Sequence, residues 1–212
     1  MLDFYIPKFV NKIGLRISGG ADSAIVSYAL AHHIAVSNKH IEIIPITVLH
    51  DGKAYQKQYA DKILDFIKQK FDINIGSHYT AFSTSIDYIE VQNNLTNSLY
   101  KKNIIDAHFI GITKNPPAQF SAVWEEKYNL KGPVDDRDTD LKTFIVTDEN
   151  HIIYRPLKDK DKKDVAQLYK DYGVLDTLFP LTRSCEEYTV NFEQHCGKCW
   201  FCQERLWGFG KL

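Results

Sequence analysis

The segment IGLRISGGADSA, residues 13–24, constrains the possible folds of this chain more than any other feature. Residues 13–18 alternate between apolar and polar side chains, as a short β-strand does. From Asp22 onward the apolar residues recur at helical spacing, which predicts a helix over residues 22–37. The SGGADS segment is therefore predicted to be a turn from strand to helix, in which Asp22 or Ser23 caps the helix. Such a turn is typical of α/β folds with a parallel sheet.

The rest of the chain continues this alternation of strands and helices. The nearly continuous apolar run IEIIPITVL at residues 41–49 predicts a strand that is buried on both faces. Further strands are predicted at residues 73–77, 107–113 and, as two short strands joined by a polar turn, 144–154. Helices are predicted at residues 54–71, within 91–104 and at 160–172, and a long loop region at 114–140. We predict one α/β domain over residues 1–180 and a tail over residues 181–212.

Composition narrows the possible classes of function. Of the 212 residues 44% are hydrophobic, which is typical of a globular chain with a sizeable core. The net charge of −1 gives no general basic surface, so no nucleic-acid partner is expected. No apolar stretch reaches the length of a membrane span and residues 1–10 have no secretory-signal pattern, so no membrane partner is expected.

The four cysteines all lie in the tail, at Cys185, Cys196, Cys199 and Cys202. This clustering and the C-x2-C-x2-C spacing are typical of a tetrahedral thiolate site, with Zn²⁺ as the expected ion. A [4Fe–4S] cluster also takes four thiolates, and His195 offers an alternative ligand, so both readings stay open. Four thiolates leave no open coordination position, which indicates a structural metal. Thiolates kept free for a metal favour a reducing, cytoplasmic environment.

The glycine turn has two readings. Glycines supply positive φ in tight turns, and they also let a backbone approach a ligand closely. At the N-terminus of a helix the exposed N–H groups form an anion site. The segment lacks both the G-x-x-x-x-G-K-[ST] pattern of Walker A loops and the G-x-G-x-x-G dinucleotide pattern.

SGGADS resembles the S-G-G-x-D-S signature of the PP-loop ATP pyrophosphatases. The resemblance implies a Rossmann-like fold of the adenine nucleotide alpha hydrolase type, which binds ATP with Mg²⁺ and releases pyrophosphate. By this resemblance, the turn would surround the pyrophosphate of ATP. Asp22 and Ser23 would take part in catalysis, and Asp22 would also be an indirect partner of Mg²⁺. Two further features are expected at the same crevice. Gly111 lies near the end of the fourth predicted strand, where the GITKNPP segment begins, and Val48 and Leu49 either flank the adenine or belong to the core. The residues expected to bind ATP are Ser18, Gly19, Gly20, Ala21, Asp22, Ser23, Val48, Leu49, Gly111 and Arg155.

The second half of the chain resembles the 7-cyano-7-deazaguanine synthases. Arg155-Pro156-Leu157, a helix that opens with lysine, TRSC and HCGKCWFCQER follow one another as in that family. The resemblance places its zinc ligands on the four cysteines, with Arg205 after the last of them. It implies that Lys162 or Arg155 neutralises phosphate charge. It further implies a 7-deazapurine-like carboxylate as substrate, adenylation by ATP, ammonia as nucleophile, and a homodimer.

The chain departs from this family in the middle. HDGKAYQKQ stands where the synthases carry a YGQRH-like segment, so His50, Asp51 and Lys53 are either replacement contacts or an exposed polar loop. An acidic group, Asp135, Asp136, Asp138 and Asp140, is either a cation site or a solvated loop. The alternatives are a PP-loop tRNA-modifying enzyme, a PP-loop protein acting on another carboxylate or amide in a multi-protein system, and a non-catalytic nucleotide-binding partner.

Overall fold

The structure is a computed structural model that describes residues 1–37, 39–51, 55–84, 88–130, 132, 142–147 and 149–212. Its strands are β1 (Lys12–Arg16), β2 (Glu42–His50), β3 (Asn74–Ile75), β4 (Tyr79–Ser83), β5 (Ala107–Phe109), β6 (Phe144–Val146) and β7 (Ile152–Tyr154). Its α-helices are α1 (Ala21–Ser37), α2 (Tyr55–Lys70), α3 (Tyr88–Lys101), α4 (Ala118–Tyr128), α5 (Lys162–Asp171) and α6 (Trp200–Phe209). Residues Phe179–Leu181 form a 3₁₀ turn.

The strands form one sheet in the order β3-β2-β1-β5-β7-β6, with β4 also paired to β2. All pairs are parallel except β6–β7, the two short strands predicted to be joined by a polar turn. Parallel pairing aligns the carboxyl ends of β1, β2 and β5 at one edge of the sheet, where ligands of open α/β folds bind. The predicted α/β fold is confirmed.

Helices cover both faces of the sheet, as the apolar run at residues 41–49 predicts. Along β2 the side chains alternate between faces. Ile43 packs into the core formed with α1, α2 and α5, and Ile44 and Ile46 pack into a second core with Leu99 and Tyr100 of α3. A strand buried on both faces has no position for a polar alternation, which explains its continuous hydrophobicity.

Pro45 of β2 interrupts the pairing of β2 with the strands on its outer side, β3 and β4. Ile43 accepts a hydrogen bond from Gly76 N at 2.9 Å, so the odd-numbered residues of β2 direct their backbone groups toward β3 and β4. Pro45 has no N–H to donate on that side. The partner accordingly divides into β3, which ends at Ile75, and β4, which begins at Tyr79. The sequence analysis predicted β3 and did not predict β4.

The prediction of a long loop over residues 114–140 is wrong for residues 118–128, which form α4. Pro117 stands at its N-cap and Asn129 ends it with φ 50°, both of which are local signals for a helix. Trp124 is buried against Trp200 of α6, with ring centroids 5.2 Å apart. Tertiary packing therefore stabilises a helix that has little apolar periodicity of its own. The acidic group at residues 135–140 lies outside the described residues.

Within the described part of the chain, the helices are too short or too polar to span a bilayer.

Gly208 allows α5 and α6 to pack closely. A Cβ at this position would lie 2.6 Å from both the Cγ and the carbonyl oxygen of Lys162. We expect Gly208→Ala to lower the free energy of unfolding by about 1–3 kcal/mol through overpacking, despite the better helix propensity of alanine. Urea unfolding measures this change. Gly20→Ala is the control for stability, because its nearest contact would be an ordinary 3.5 Å to Ser18 Oγ. Equal unfolding midpoints for the two variants would contradict the close packing.

Candidate functional site

The glycine turn joins β1 to α1 at the carboxyl edge of the sheet. Gly19 has φ 82°, and a Cβ there would lie 2.5 Å from Tyr59 Cβ, so only glycine fits this position. Helix α1 begins at Ala21, which places Asp22 and Ser23 inside its first turn. The prediction that Asp22 or Ser23 caps the helix is therefore wrong. The N–H groups of the first turn have no acceptor within the helix, and they face the end of the sheet where an anion would bind.

Two serine hydroxyls lie at the turn. Ser18 Oγ and Ser23 Oγ are 3.3 Å apart, and Ser23 Oγ also donates to Gly20 O at 3.1 Å. Ser23 Oγ accepts a hydrogen bond from Ser18 N at 3.3 Å. A hydroxyl can donate to an anion when it gives up such an internal bond.

Lys162 and Asp22 form an ion pair beside the turn, in which the lysine is buried and the aspartate half-buried. Lys162 Nζ lies 2.5 Å from Asp22 Oδ2 and 3.8 Å from Glu204 Oε2 of α6. Lys162 is 6% exposed and Glu204 2%. The other carboxylate oxygen, Asp22 Oδ1, is buried and has no hydrogen-bond partner among the described residues. An unpaired buried oxygen beside a lysine is a suitable acceptor for a metal-bound water or a ligand hydroxyl.

Gly111 allows the end of β5 to approach this turn. A Cβ on Gly111 would lie 3.0 Å from both the carbonyl carbon of Asp22 and the amide nitrogen of Ser23. Residues expected from separate parts of the sequence thus meet at one crevice.

Arg183, in the TRSC segment, connects the tail to the turn. Its backbone N donates to Gly19 O at 2.9 Å. Its guanidinium donates to the carbonyl oxygens of Phe192, Gln194 and Glu187, each at 2.6 Å. One arginine therefore orders the tail loop before the second cysteine and fixes it against the glycine turn.

Arg205 supports the same region from inside the protein. It is 1% exposed, donates to Thr182 Oγ1 at 2.8 Å and Phe179 O at 3.2 Å, and lies 3.7 Å above the Phe179 ring. Burial lowers the pKa of Arg205 to about 10, so it stays charged at neutral pH. Its contacts indicate that it positions the segment before TRSC.

The four cysteine sulfurs converge. Their Sγ atoms all lie within 4.8 Å of one another, and those of Cys196 and Cys202 are 3.9 Å apart. Backbone N–H groups donate to the sulfurs, from Cys196 N to Cys185 Sγ at 3.3 Å and from Cys199 N to Cys196 Sγ at 3.2 Å. Gly197 has φ 73°, which allows the tight turn between Cys196 and Cys199. The predicted four-cysteine metal site is confirmed as a cluster suited to metal binding, and His195 lies outside it.

The crevice at the carboxyl edge contains most of the residues that the sequence predicts for ATP. Its lining includes Ser18, Gly20, Ala21, Asp22, Ser23, Val48, Gly111 and Lys162. Gly19, Leu49 and Arg155 lie outside this lining. Among the alternative contacts, His50 and Asp51 also lie outside it, and Lys53 lies outside the described residues.

Sequence reasoning missed several polar residues of the crevice. They are Arg16, Tyr55, Gln56, Tyr88, Gln92, Ser184, Glu186 and Glu204. The sequence could have identified Arg16 as a functional residue, because a charged residue within an apolar strand that is central to the sheet is unusual. The sequence could not have identified Glu204 in this way, since one glutamate in a helical tail has no distinctive pattern.

Comparison with known proteins agrees with the tail motifs. A model of the family described as Queuosine biosynthesis protein QueC matches residues 136–212. A 7-cyano-7-deazaguanine synthase from Parabacteroides distasonis is 35% identical over 88 residues, 39% of this chain and 38% of that protein. A 7-cyano-7-deazaguanine synthase from Staphylococcus saprophyticus is 26% identical over 217 residues, 93% of this chain and 92% of that protein. The predicted resemblance to these synthases is confirmed, at the level of a divergent relative.

Comparison with solved structures matches this chain to the U34-tRNA thiolase NcsA from Methanococcus maripaludis with its [4Fe-4S] cluster. It is 15% identical, has a TM-score of 0.47, and the match covers 77% of this chain and 57% of that one.

Proposed function

We propose that this chain, a divergent relative of the 7-cyano-7-deazaguanine synthases, is an ATP-dependent carbon–nitrogen ligase. It would adenylate the carboxylate of a 7-deazapurine-like acid and pass the activated acyl group to ammonia. The observation that carries the proposal is the meeting of the glycine turn, Asp22 and Lys162 in one crevice at the carboxyl edge of the sheet.

The crevice suits the triphosphate of ATP. The first-turn N–H groups of α1 and the hydroxyls of Ser18 and Ser23 provide neutral donors, and Lys162 and Arg183 provide positive charge. Pyrophosphate gains negative charge as it leaves, so these fixed donors would stabilise it most in the transition state. Mg²⁺ would bind the phosphates, and Asp22 Oδ1, which has no hydrogen-bond partner among the described residues, would accept from its water shell.

The reaction balances in two steps. A carboxylate oxygen of the acid attacks the α-phosphorus of ATP, and the bond to the bridging oxygen breaks to release pyrophosphate. Ammonia then attacks the acyl carbon, loses a proton, and displaces AMP to leave the amide. Activation is required because a carboxylate oxygen is a poor leaving group, whereas AMP is a good one. The protein contributes position and phosphate binding.

We propose that the four cysteines hold one Zn²⁺ ion. A tetrahedral site with Zn–S bonds of about 2.3 Å brings its sulfurs to about 3.8 Å from one another. The 3.9 Å between Cys196 and Cys202 and the 4.8 Å limit for the whole set support a single ion. In a [4Fe–4S] cluster each thiolate binds a different iron atom, which spreads the sulfurs more widely. With four thiolates the zinc would be structural, and it would order the tail that Arg183 fixes to the glycine turn.

The test is a reaction with ATP, Mg²⁺, ammonium and 7-carboxy-7-deazaguanine, followed by mass spectrometry and a pyrophosphate assay. We expect AMP and pyrophosphate in equal amounts, together with the amide or the nitrile. ADP and phosphate in place of AMP and pyrophosphate would contradict the adenylation. A folded, metal-loaded protein that binds ATP and yields no product would contradict the proposed acceptor.

A further inference from the structure

A second cavity adjoins the crevice and shares a wall with it. Arg16, Gln92 and Ile110 line both spaces. The rest of the second cavity is lined by residues of α3, β5 and β7 and of the segments that follow the strands, among them His108, His151 and Arg155. A molecule bound there would therefore lie next to a ligand of the crevice, across the wall that holds Arg16.

Two arginines of this cavity have no acidic partner among the described residues. There, Arg16 donates to neutral oxygens, to Gln92 Oε1 at 3.1 Å, Asn93 Oδ1 at 3.0 Å and Thr96 Oγ1 at 3.1 Å. In the same part of the chain, Arg155 has a buried Nε without a hydrogen-bond partner. Neither forms a salt bridge with a carboxylate among the residues that the structure describes.

The charges of these arginines act on each other. Burial, and to a lesser degree the charge of Arg155, lower the pKa of Arg16 to about 10, so it remains a cation at neutral pH. Two like charges at the wall of one cavity, with no carboxylate paired to them in the described part of the chain, destabilise the empty protein. An anion bound between them relieves that repulsion.

His108 adds a buried acceptor to the same cavity. It is 3% exposed, and its Nδ1 lies 2.9 Å from Tyr100 Oη. Tyr100 Oη donates its one hydrogen to Ile152 O at 2.7 Å, so Nδ1 of His108 must be the donor in the shared bond. Nε2 of the neutral ring is then a bare acceptor, and it is buried with no partner among the residues that the structure describes. Burial holds the pKa of His108 well below its usual value, which keeps the ring neutral.

The other residues define the shape and charge at the opening. The His151 ring stacks on Tyr100 with centroids 3.9 Å apart, and His151 Nδ1 lies 3.5 Å from Glu149 Oε2. Glu149 is 67% exposed, so its charge faces solvent at the rim. Ile110, Ile112 and Ile153 supply apolar surface to the cavity.

We infer that this second cavity binds the acceptor substrate, as a small acid with a carboxylate and a nearby N–H or O–H donor. The carboxylate would lie between Arg16 and Arg155, and the donor would bind His108 Nε2. This inference rests on the proposed function and goes beyond it by naming the residues that select the acid. It assigns Arg155 to the acceptor, whereas the sequence resemblance assigned it to ATP.

Calorimetric titration of 7-carboxy-7-deazaguanine, in the presence of a non-hydrolysable ATP analogue, tests the inference. We expect Arg155→Gln to raise the Kd of the acid at least about tenfold, since a charge-assisted hydrogen bond is lost. The Kd of the ATP analogue should stay within about twofold. Lys158→Gln is the matched control, because it removes a charge three residues away and outside both cavities. It should change neither value.

His108→Asn tests the acceptor separately. The asparagine amide can occupy the place of Nδ1 and keep the bond to Tyr100, while Nε2 is removed. We expect the Kd of the acid to rise again at unchanged ATP affinity. The nitrile 7-cyano-7-deazaguanine, which has no charge, should bind more weakly and be insensitive to Arg155→Gln.

The outcomes separate the two proposals. An unchanged Kd of the acid in Arg155→Gln, or no binding of the acid by a protein that binds the ATP analogue, would overturn the acceptor cavity. Arginine-dependent binding of the acid by a protein that does not bind ATP would support the cavity and overturn the proposed ligase.

Discussion

Replacing Cys199 with serine is expected to remove the metal and destabilise the whole chain. Serine is a far weaker ligand than a thiolate, and three remaining sulfurs do not close a tetrahedral site. The binding free energy of a structural metal is folding free energy, so its loss is felt in stability. We expect the free energy of unfolding to fall by about 3–5 kcal/mol, which corresponds to roughly 10 °C in Tm for a domain of this size.

The destabilisation should extend beyond the tail. Arg183 binds the carbonyl oxygens of the loop before Cys196 and the backbone of the glycine turn. Disorder of that loop would therefore loosen the turn and weaken ATP binding. Wild-type protein treated with a chelator is the matched control, because it loses the metal without a change of sequence, and it should melt at the temperature of the variant.

Metal analysis with an absorption spectrum completes this test. One zinc ion per chain in a colourless wild-type protein, and none in Cys199→Ser, is the expected result. A brown protein with four iron atoms would contradict the single zinc ion. A metal-free variant that melts at the wild-type temperature would show that the site is not structural.

The sequence predicts those parts of the molecule that local patterns determine. The glycine turn follows from residues 13–24, because a change from strand spacing to helical spacing fixes its place. The thiolate cluster follows from the spacing of the last three cysteines. The fold class follows from the alternation of strands and helices, and the structure confirms it.

Other features depend on contacts between distant segments, which one sequence does not reveal. Helix α4 is held by Trp124 against Trp200, 76 positions later, so residues 118–128 read as a loop in isolation. Asp22 and Lys162 are 140 residues apart and become a pair only when α5 packs beside α1. The same holds for His108, whose tautomer is determined by a tyrosine and a carbonyl from two other elements.

Replacing Asp22 with asparagine is expected to slow pyrophosphate release strongly and leave the fold intact. Asparagine retains an oxygen that accepts from Lys162, and Glu204 Oε2 remains 3.8 Å from the ammonium, so Lys162 is not left without a partner. The negative charge that holds Lys162, and that would accept from the water shell of Mg²⁺ under the proposed function, is lost. We expect the rate of pyrophosphate formation to fall by about 10²–10³, the cost of removing one group that stabilises a charged transition state. Ser23→Ala should lower the rate in the same direction.

The control is Asp176→Asn, which makes the same change in an exposed pair with Lys211, where the two side chains are 2.8 Å apart. Neither residue of that pair lines the crevice, and Asp176 is 85% exposed, so neither rate nor Tm should change measurably. Circular dichroism and zinc content establish that Asp22→Asn is folded, and single-turnover assays then report the chemical step. Wild-type pyrophosphate formation by folded Asp22→Asn would exclude the pair from catalysis. A selective loss of rate at near-normal ATP affinity would mean that the aspartate acts in the transition state, because uniform binding would instead have changed the affinity for ATP.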